Sequence, residues 1–357
     1  MSSQTTPNDL PVTAGAAHHS DPGDPTPWRH LIGMAFGLTA ALCLLVIAFV
    51  WPATSMAPHE VPIVVAGPPA AAVQVQATLD SAHAGAFDVT GVADEAAARA
   101  AIEDRDAYGA IVFGQPPTVL TASAGSPLVA QLLNQIATGL ATAGTTAPVV
   151  SVVDVVPLPA GDPRGIGLAA MALPLVLGGI AVGVAMARGV RGVSRSIIGT
   201  VGVASLAGLA LAGIAHGWFG VLDGNYWAEA GTIALGIGSV ALALIGLNTV
   251  LGVRGIALGG AVIMLLGNPL SGITSAPEML PTPWGQLGQW LPPGAAGSLL
   301  RSVSFFGGAG GWGPFWILVG YAVGGVLLAW AAARRSAGRH TVDAKSPLAA
   351  EVQPARI

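Results

Sequence analysis

Four polar or charged residues interrupt long apolar stretches of this sequence and are its first candidates for chemistry: Asn248, Asn268, Glu278 and Arg301. Polar groups surrounded by apolar ones are costly, so such residues are functional candidates by default. Pro269 follows Asn268 and removes a backbone hydrogen bond, and the Asn268 amide can satisfy the groups that this frees. We therefore expect these residues either to line a substrate pathway or to serve helix kinking and helix contacts.

The sequence lacks the residue patterns that carry catalysis. Its single lysine, Lys345, follows no glycine-rich loop, so a phosphate-binding P-loop is excluded and any ATP must be hydrolysed by another chain. His59 and His83 are isolated, and no Ser/His/Asp set stands in a recognisable catalytic frame. We predict that the chain is not an enzyme and that it holds no cofactor, no metal and no nucleic acid.

The composition indicates that lipid is the solvent for most of the chain. Charged residues are only 9% of 357, against roughly 25% in soluble globular domains, and the mean hydropathy is +0.68. A bilayer core of about 30 Å needs about 20 apolar residues per helix. Roughly six stretches meet this requirement. They are residues 31–51, 165–187, 196–215, 228–251, 255–273 and 312–333.

The placement of arginine and lysine predicts the orientation, because cytoplasmic loops carry an excess of both. The cationic residues follow the second and fourth spans and the last one: Arg188, Arg191, Arg195, Arg254, Arg334, Arg335, Arg339, Lys345 and Arg356. All of them fall on one side if both termini are cytoplasmic and residues 52–164 are extracytoplasmic. The first span is then a signal anchor in a bacterial plasma (inner) membrane. Residues 1–27 and 337–357 are polar and aperiodic, and we expect disordered cytoplasmic tails there.

Residues 52–164 alternate strand-like and helix-like patterns and are long enough for one compact domain. Strands are expected at 61–66, 87–90, 108–113, 118–122 and 149–156, and helices at 70–84, 94–103 and 126–142. This pattern predicts a small α/β domain with a mixed sheet. The predicted fold is an all-α polytopic membrane protein of about six transmembrane helices, with this extracytoplasmic domain inserted between helices one and two.

The segment from about 274 to 305 is apolar but broken by prolines and aromatic residues. Such a sequence suits short helices that lie in the outer membrane interface or dip into it. Arg301 is its one strong charge beyond Glu278, and we expect it to pair with Glu278 or with lipid headgroups, a plain interfacial anchor being the alternative. Residues 165–333 are thus predicted to form a five-helix transmembrane domain with a re-entrant outer segment.

Glycine pairs of the G-x-x-x-G type occur at Gly179 and Gly183 and at Gly255 and Gly259. This spacing favours close helix packing or dimerisation. In a chain with 50 glycines such matches arise easily by chance, so they identify no partner.

The layout of one span, an extracytoplasmic α/β domain and five further spans resembles the permease of type-2 ABC exporters. The sequence Pro277-Glu278-Met279-Leu280-Pro281, followed by Leu291-Pro292-Pro293-Gly294 and Leu300-Arg301, is similar to the outer segment of that family. The stretch from Asp94-Glu95-Ala96 to Tyr108-Gly109-Ala110-Ile111-Val112 is similar to its outer domain and to that of the related phage-infection-protein-like membrane proteins. The resemblance covers residues 30–335.

The resemblance implies export of a hydrophobic or amphipathic substrate, or of a cell-envelope component, by a homodimer that two separate P-loop ATPase subunits serve. In that family the loop between the second and third spans helps to engage the ATPase. Here this loop is short and is flanked by Arg188, Arg191 and Arg195. Its shortness suits the phage-infection-protein-like branch, in which an ATPase partner is not assured. The alternative is a non-transporting envelope protein whose outer domain binds a partner.

Overall fold

The computed structural model describes residues 27–142 and 150–343, and the chain divides into two compact units, residues 1–46 and 47–357. Helix α1 (Trp28–Thr54) begins in the first unit and ends in the second. Beyond its first turn the helix is almost wholly apolar, and it is long enough to cross a membrane. The predicted first span is therefore confirmed as an apolar helix.

A five-stranded mixed sheet with three helices follows α1 in the chain. Its elements are β1 (Val61–Ala66), α2 (Pro69–Ala82), β2 (Phe87–Val92), α3 (Glu95–Glu103), β3 (Gly109–Val112), β4 (Thr118–Thr121), α4 (Pro127–Thr142) and β5 (Ser151–Asp154). The strand order is β2-β1-β3-β4-β5, and only the β3–β4 pair is antiparallel. The predicted strands and helices are confirmed here, with small shifts at their ends.

Both faces of the sheet are covered, because side chains along β1 alternate between two cores. Ile63 and Val65 lie in a core that α2 and α4 complete, whereas Val64 and Ala66 pack with α3. The first core also includes Met279, which lies far outside the sheet in sequence. The packing of the α/β domain is thus continuous with a later part of the chain.

The rest of the described chain is helical. Its helices are α5 (Ile166–Gly189), α6 (Val193–Ala212, continued by a π-helical stretch over Gly213–Trp218), α7 (Tyr226–Leu251), α8 (Val253–Val262, continued by a π-helical stretch over Ile263–Gly267), α9 (Trp284–Gln289), α10 (Pro292–Phe305) and α11 (Trp312–Asp343). In the described ranges, five helices are long and apolar enough to cross a membrane: α1, α5, α6 with its π-helical end, α7 and α11.

Helix α7 is the central helix of this group. Within its most apolar window 61% is buried, against 22% for α5 and for α6 and 17% for α11. Glycines allow the neighbouring backbones to come close. A Cβ atom added at Gly208 of α6 would lie 2.3 Å from the carbonyl oxygen of Ala230, and one added at Gly325 of α11 would lie 2.3 Å from that of Leu242. Both distances are too short for any side chain, so glycine is required at these crossings.

Both G-x-x-x-G pairs also face α7. A Cβ atom at Gly179 or Gly183 of α5 would meet Val240 or Ala241, and one at Gly255 of α8 would meet the Leu247 carbonyl. A Cβ atom at Gly259 would meet Leu244 and Leu247. Of the two roles that the spacing allowed, the structure uses close helix packing within the chain.

The predicted fifth span, 255–273, is shorter than expected. Regular and π-helical turns end together at Gly267, which leaves 15 residues (Val253–Gly267) or about 22 Å of helix. Pro269 explains this end, since proline lacks an N–H and disfavours helical geometry in the residue before it. The chain nevertheless continues antiparallel to α7, because Ile263 packs on Val240 and Ile273 packs on Ile233.

The outer segment, residues 274–305, forms short helices as predicted. A 3₁₀ turn over Pro277–Met279 precedes α9 and α10. The turns are packed closely, since a Cβ atom at Gly285 would meet the carbonyl of Pro277 and one at Gly288 would meet that of Leu270. Most of α10 is buried, so it is an internal helix of this unit and not a helix that lies on its surface.

Helix α11 extends to Asp343 and so overlaps the tail that was expected to begin at residue 337. The apolar run ends near Arg335, but the residues after it have no helix breaker before Asp343 other than Gly338. Residues 344–357, like residues 1–26, lie outside the described part of the chain, and with them most of both predicted tails.

Within residues 47–343, the two ends of the helical region differ in composition. Arg188 lies in the last turn of α5, Arg254 lies in the first turn of α8, and α11 reaches Arg334 and Arg335 at the same end. At the other end, next to the sheet, are the exposed tryptophans Trp218, Trp227, Trp284 and Trp312, while the exposed Trp330 lies beside Arg334 at the arginine end. Tryptophan is enriched at membrane interfaces and arginine on cytoplasmic flanks.

Candidate functional site

Two backbone hydrogen bonds join the start of the α/β domain to the outer segment. The Ala57 N–H donates to the Met279 carbonyl at 3.0 Å, and the His59 N–H donates to the Glu278 carbonyl at 2.9 Å. Since Met279 also lies in a core of the sheet, the junction combines hydrogen bonds with apolar packing. The domain and the outer segment are therefore held together as one packed body.

A cluster of half-buried polar side chains lies at this junction. The Tyr108 hydroxyl, just before β3, donates to Glu278 Oε2 at 2.8 Å. Arg105 donates from Nη1 to the Ser298 carbonyl at 3.1 Å, and its guanidinium lies 5.3 Å from the centre of the Phe306 ring. Every one of these contacts joins the domain to the outer segment or to the residue that follows it.

Burial raises the pKa of the Tyr108 hydroxyl well above its usual range, and the Glu278 carboxylate adds to the rise. The hydroxyl therefore remains protonated and available as a donor. Burial lowers the pKa of Arg105, while the nearby Tyr108 and Glu278 oppose this change. Both shifts follow from placing ionisable groups where little water reaches them.

Arg301 lies in the same cluster but does not form the expected pair with Glu278. It is 4% exposed, and its Nη2 donates to the Ile273 carbonyl at 2.8 Å. The Glu278 carboxylate is instead used by Tyr108, and among the described residues it forms no ion pair with Arg301. Burial lowers the pKa of Arg301, and Arg105 adds to the decrease. Because it is turned inward, Arg301 is also not placed at the protein surface for lipid headgroups.

Asn268 and Pro269 border a cleft of about 220 Å³. Its polar side is a single stretch of chain that also contributes Ser271, Thr274 and Ser275. Its apolar side comes from the end of α1, the first turns of α5 and two residues of the loops beside them: Phe49, Pro52, Ala53, Met56, Ala169, Ala172, Leu173 and Leu280. The structure therefore brings Asn268 and Pro269 to a cleft, whereas Glu278 and Arg301 lie in the junction cluster.

The other predicted residues lie elsewhere. Asn248 is half-buried near the end of α7, where its carbonyl accepts a hydrogen bond from Gly252 N–H at 2.7 Å. Arg188, Arg191 and Arg195 are exposed around the three-residue turn between α5 and α6. Ser196 stabilises that turn, since its hydroxyl donates to the Met186 carbonyl at 3.1 Å.

Sequence reasoning missed a buried carboxylate. Glu229, in the first turn of α7, is 0% exposed. Its Oε2 lies 2.9 Å from His216 Nδ1, and its Oε1 accepts from the Gly224 N–H at 2.8 Å. A signal was present in the sequence. Glu229 lies among the first residues of the fourth apolar span, and His216 lies at the end of the third span, 13 residues earlier. In the described ranges no group of three or more His, Cys, Asp or Glu side chains is arranged to hold a metal ion.

Comparison of the chain with protein-family models, with curated proteins and with solved structures gives no match. The resemblance to type-2 ABC exporter permeases therefore depends on the sequence patterns alone.

Proposed function

We propose that this chain is the membrane permease subunit of an ABC-type exporter that moves a hydrophobic or envelope-related substrate out of the cell. The observation that carries the proposal is the broken helix after α8, whose non-helical continuation lines the Asn268 cleft. Irregular backbone at membrane depth is tolerated where it is buried in protein or lines a cavity. Interrupted helices of this kind mark substrate sites in transporters.

The proposed topology has six crossings, both termini in the cytoplasm and the α/β domain outside a bacterial plasma membrane. Its orientation is supported by the arginines at one end of the helical region, and the exposed tryptophans are placed as expected for residues at membrane interfaces. It is also supported by the path of residues 253–273, which run back along α7 although only 15 of them form the short apolar helix.

The energy for transport would come from a separate P-loop ATPase. A P-loop needs a lysine directly after a glycine-rich loop, and the only lysine of this chain, Lys345, follows no such loop. Arg188, Arg191 and Arg195 are the proposed ATPase-facing residues, since they are exposed at the arginine-rich end. A homodimer remains part of the proposal. Its interface would have to use surfaces other than the two G-x-x-x-G pairs, which pack inside the chain.

The test is affinity purification of the full-length chain from native membranes in mild detergent, followed by mass spectrometry of the proteins that accompany it. We expect a stoichiometric P-loop ATPase, and we expect charge reversal at Arg188, Arg191 and Arg195 to remove it. Charge reversal at Arg164, which is exposed just before α5 at the opposite end of the helical region, is the matched control and should leave the complex intact. Reproducible recovery of an envelope protein without any ATPase would refute the proposal that this chain is the permease of an exporter.

A second candidate is a non-transporting envelope membrane protein whose outer domain binds a partner. One observation favours it: only residues 190–192 separate α5 from α6, which leaves little surface for an ATPase to grip. The junction cluster would then fix the orientation of the domain for its partner. The same purification distinguishes the two candidates.

A further inference from the structure

We propose that the Asn268 cleft binds a single-chain amphiphile whose headgroup is uncharged and forms hydrogen bonds, such as a monoacylglycerol. The assignment of this ligand as cargo rests on the proposed exporter function, whereas the binding itself does not.

The polar side offers hydrogen bonds without charge. Among the residues that line the cleft there is an amide at Asn268 and there are hydroxyl groups at Ser271, Thr274 and Ser275, but there is no Asp, Glu, Lys, Arg or His. A charged headgroup would lose its hydration there without gaining a counter-charge, which is unfavourable. A headgroup of hydroxyl, ester or amide groups can exchange its water for these side chains.

Two of the polar side chains are available for a ligand. Ser271 Oγ already donates to the Asn268 carbonyl at 2.7 Å, and Ser275 Oγ reaches the Ala276 carbonyl at 3.4 Å. The Asn268 amide and the Thr274 hydroxyl form no side-chain hydrogen bond with the described residues. A half-buried amide at an apolar cleft gains most from a ligand that can both donate and accept.

The size and depth of the cleft fit the headgroup and the first carbons of a single chain, with the rest of the chain extending beyond the cleft. A volume of about 220 Å³ is below the roughly 300–1,000 Å³ of a pocket for a drug-sized ligand. The cleft extends from Met56 and Leu280, near the junction, to Leu173. Leu173 lies about 10 Å from the start of α5, at 1.5 Å per residue. Trp51, which precedes the cleft residue Pro52, makes an edge-to-face contact with Trp284, with ring centroids 5.8 Å apart. Tryptophans of this kind mark the headgroup level of a membrane.

The experiment measures saturable binding of radiolabelled mono-oleoylglycerol to the full-length chain in phosphatidylcholine nanodiscs, with empty nanodiscs as the blank. Two competitors carry the same acyl or alkyl chain length with a charge: oleoyl lysophosphatidylglycerol and oleylamine. We expect both to bind at least about ten-fold more weakly, because each would bring an unpaired charge into the cleft. Equal affinity for either one, or no saturable binding of the neutral probe, would overturn the inference.

Variants test the position of the site. Asn268→Leu should weaken binding about five-fold, as expected for loss of one hydrogen bond, and Asn248→Leu, the same change in α7 away from the cleft, should leave it unchanged. Ala169→Phe should fill the cleft and abolish binding, while Ala170→Phe, on the exposed side of the same turn, should not. If Asn268→Leu does not fold, Thr274→Val serves in its place with the same expectation. An equal loss of binding in the test and control variants would show that the ligand does not occupy the Asn268 cleft.

The binding assay tests the ligand site, and the purification of the ATPase tests the exporter function, so a negative result in one does not decide the other. Binding without an ATPase would leave the ligand site intact and remove the exporter. An ATPase without binding would leave the exporter intact and remove this ligand.

Discussion

Glu278 connects the outer segment to the α/β domain with two different groups. Its carboxylate accepts from the Tyr108 hydroxyl, and its carbonyl accepts from the His59 N–H. Glu278 is half-buried, and a carboxylate with limited access to water is stabilised by a hydrogen-bond donor, so Tyr108 contributes to the junction together with Glu278. The side chain that interrupts an apolar segment is thus part of a contact between two regions of the chain.

Tyr108→Phe should lower the free energy of unfolding by about 2 kcal/mol, because the half-buried carboxylate of Glu278 loses a hydrogen-bond donor. Thermal or chemical unfolding of the purified protein in detergent measures this. Since the pKa of Tyr108 is raised, its hydroxyl stays protonated in the folded state, and the loss should be the same between about pH 7 and pH 9. Tyr321→Phe in α11 is the control. A loss of equal size there would contradict the assigned role.

Glu229→Ala should lower the free energy of unfolding by about 3 kcal/mol, because the Gly224 N–H and His216 would lose their buried partner. Glu229→Gln keeps an acceptor for the Gly224 N–H and should cost clearly less. Unfolding measurements on the two variants, side by side, test this. Equal stability of both with the native chain would show that the buried carboxylate contributes nothing.

Polar residues in apolar surroundings could be found from the sequence, but their partners could not. Asn268 and Arg301 stood out because their neighbours are apolar. That Arg301 donates to the carbonyl of Ile273 and that Glu278 binds Tyr108, 170 positions away, depends on how the α/β domain packs on the outer segment. Glu229 was missed because acids are common at helix starts, where their usual role is to face water.

Among the helices and strands, the sequence predicted those elements whose formation depends on interactions between residues close together in the chain. The strands β1 to β5 were found because alternating apolar residues and intervening turns are local signals. The fifth span was predicted too long because a hydropathy window averages over Asn268 and Pro269, although one proline is enough to end a helix. The central position of α7 could not be predicted, since all of the long helices are similarly apolar.

Gly325→Leu should prevent correct folding of the helical region, because its side chain would collide with the backbone of α7 at Leu242. We expect little monodisperse protein in size-exclusion chromatography. Gly320→Leu, in the same helix but with open space around a Cβ atom, should give a normal yield. If both variants behave alike, the close crossing of α7 and α11 is wrong.

The whole molecule has two chemically different ends, and their positions relative to the membrane can be measured. Cys43 is the only cysteine, so a Cys43→Ser background allows single cysteines to be introduced. Ser81→Cys, exposed on α2, should react with an impermeant maleimide added to intact cells. Ser194→Cys, exposed beside the α5–α6 turn, should react only after permeabilisation. Labelling of both from the same side would contradict the topology.

The central position of α7 has a consequence for biosynthesis. Chains are made from the N-terminus, so α5 and α6 enter the membrane before the helix on which Gly179 and Gly208 pack. Their small-residue faces have no permanent neighbour until α7 follows. On another side of α7, the backbones of Leu242 and Gly246 are in close contact with Gly325 of the last helix. The membrane region therefore acquires its final packing only when the ribosome has nearly completed the chain.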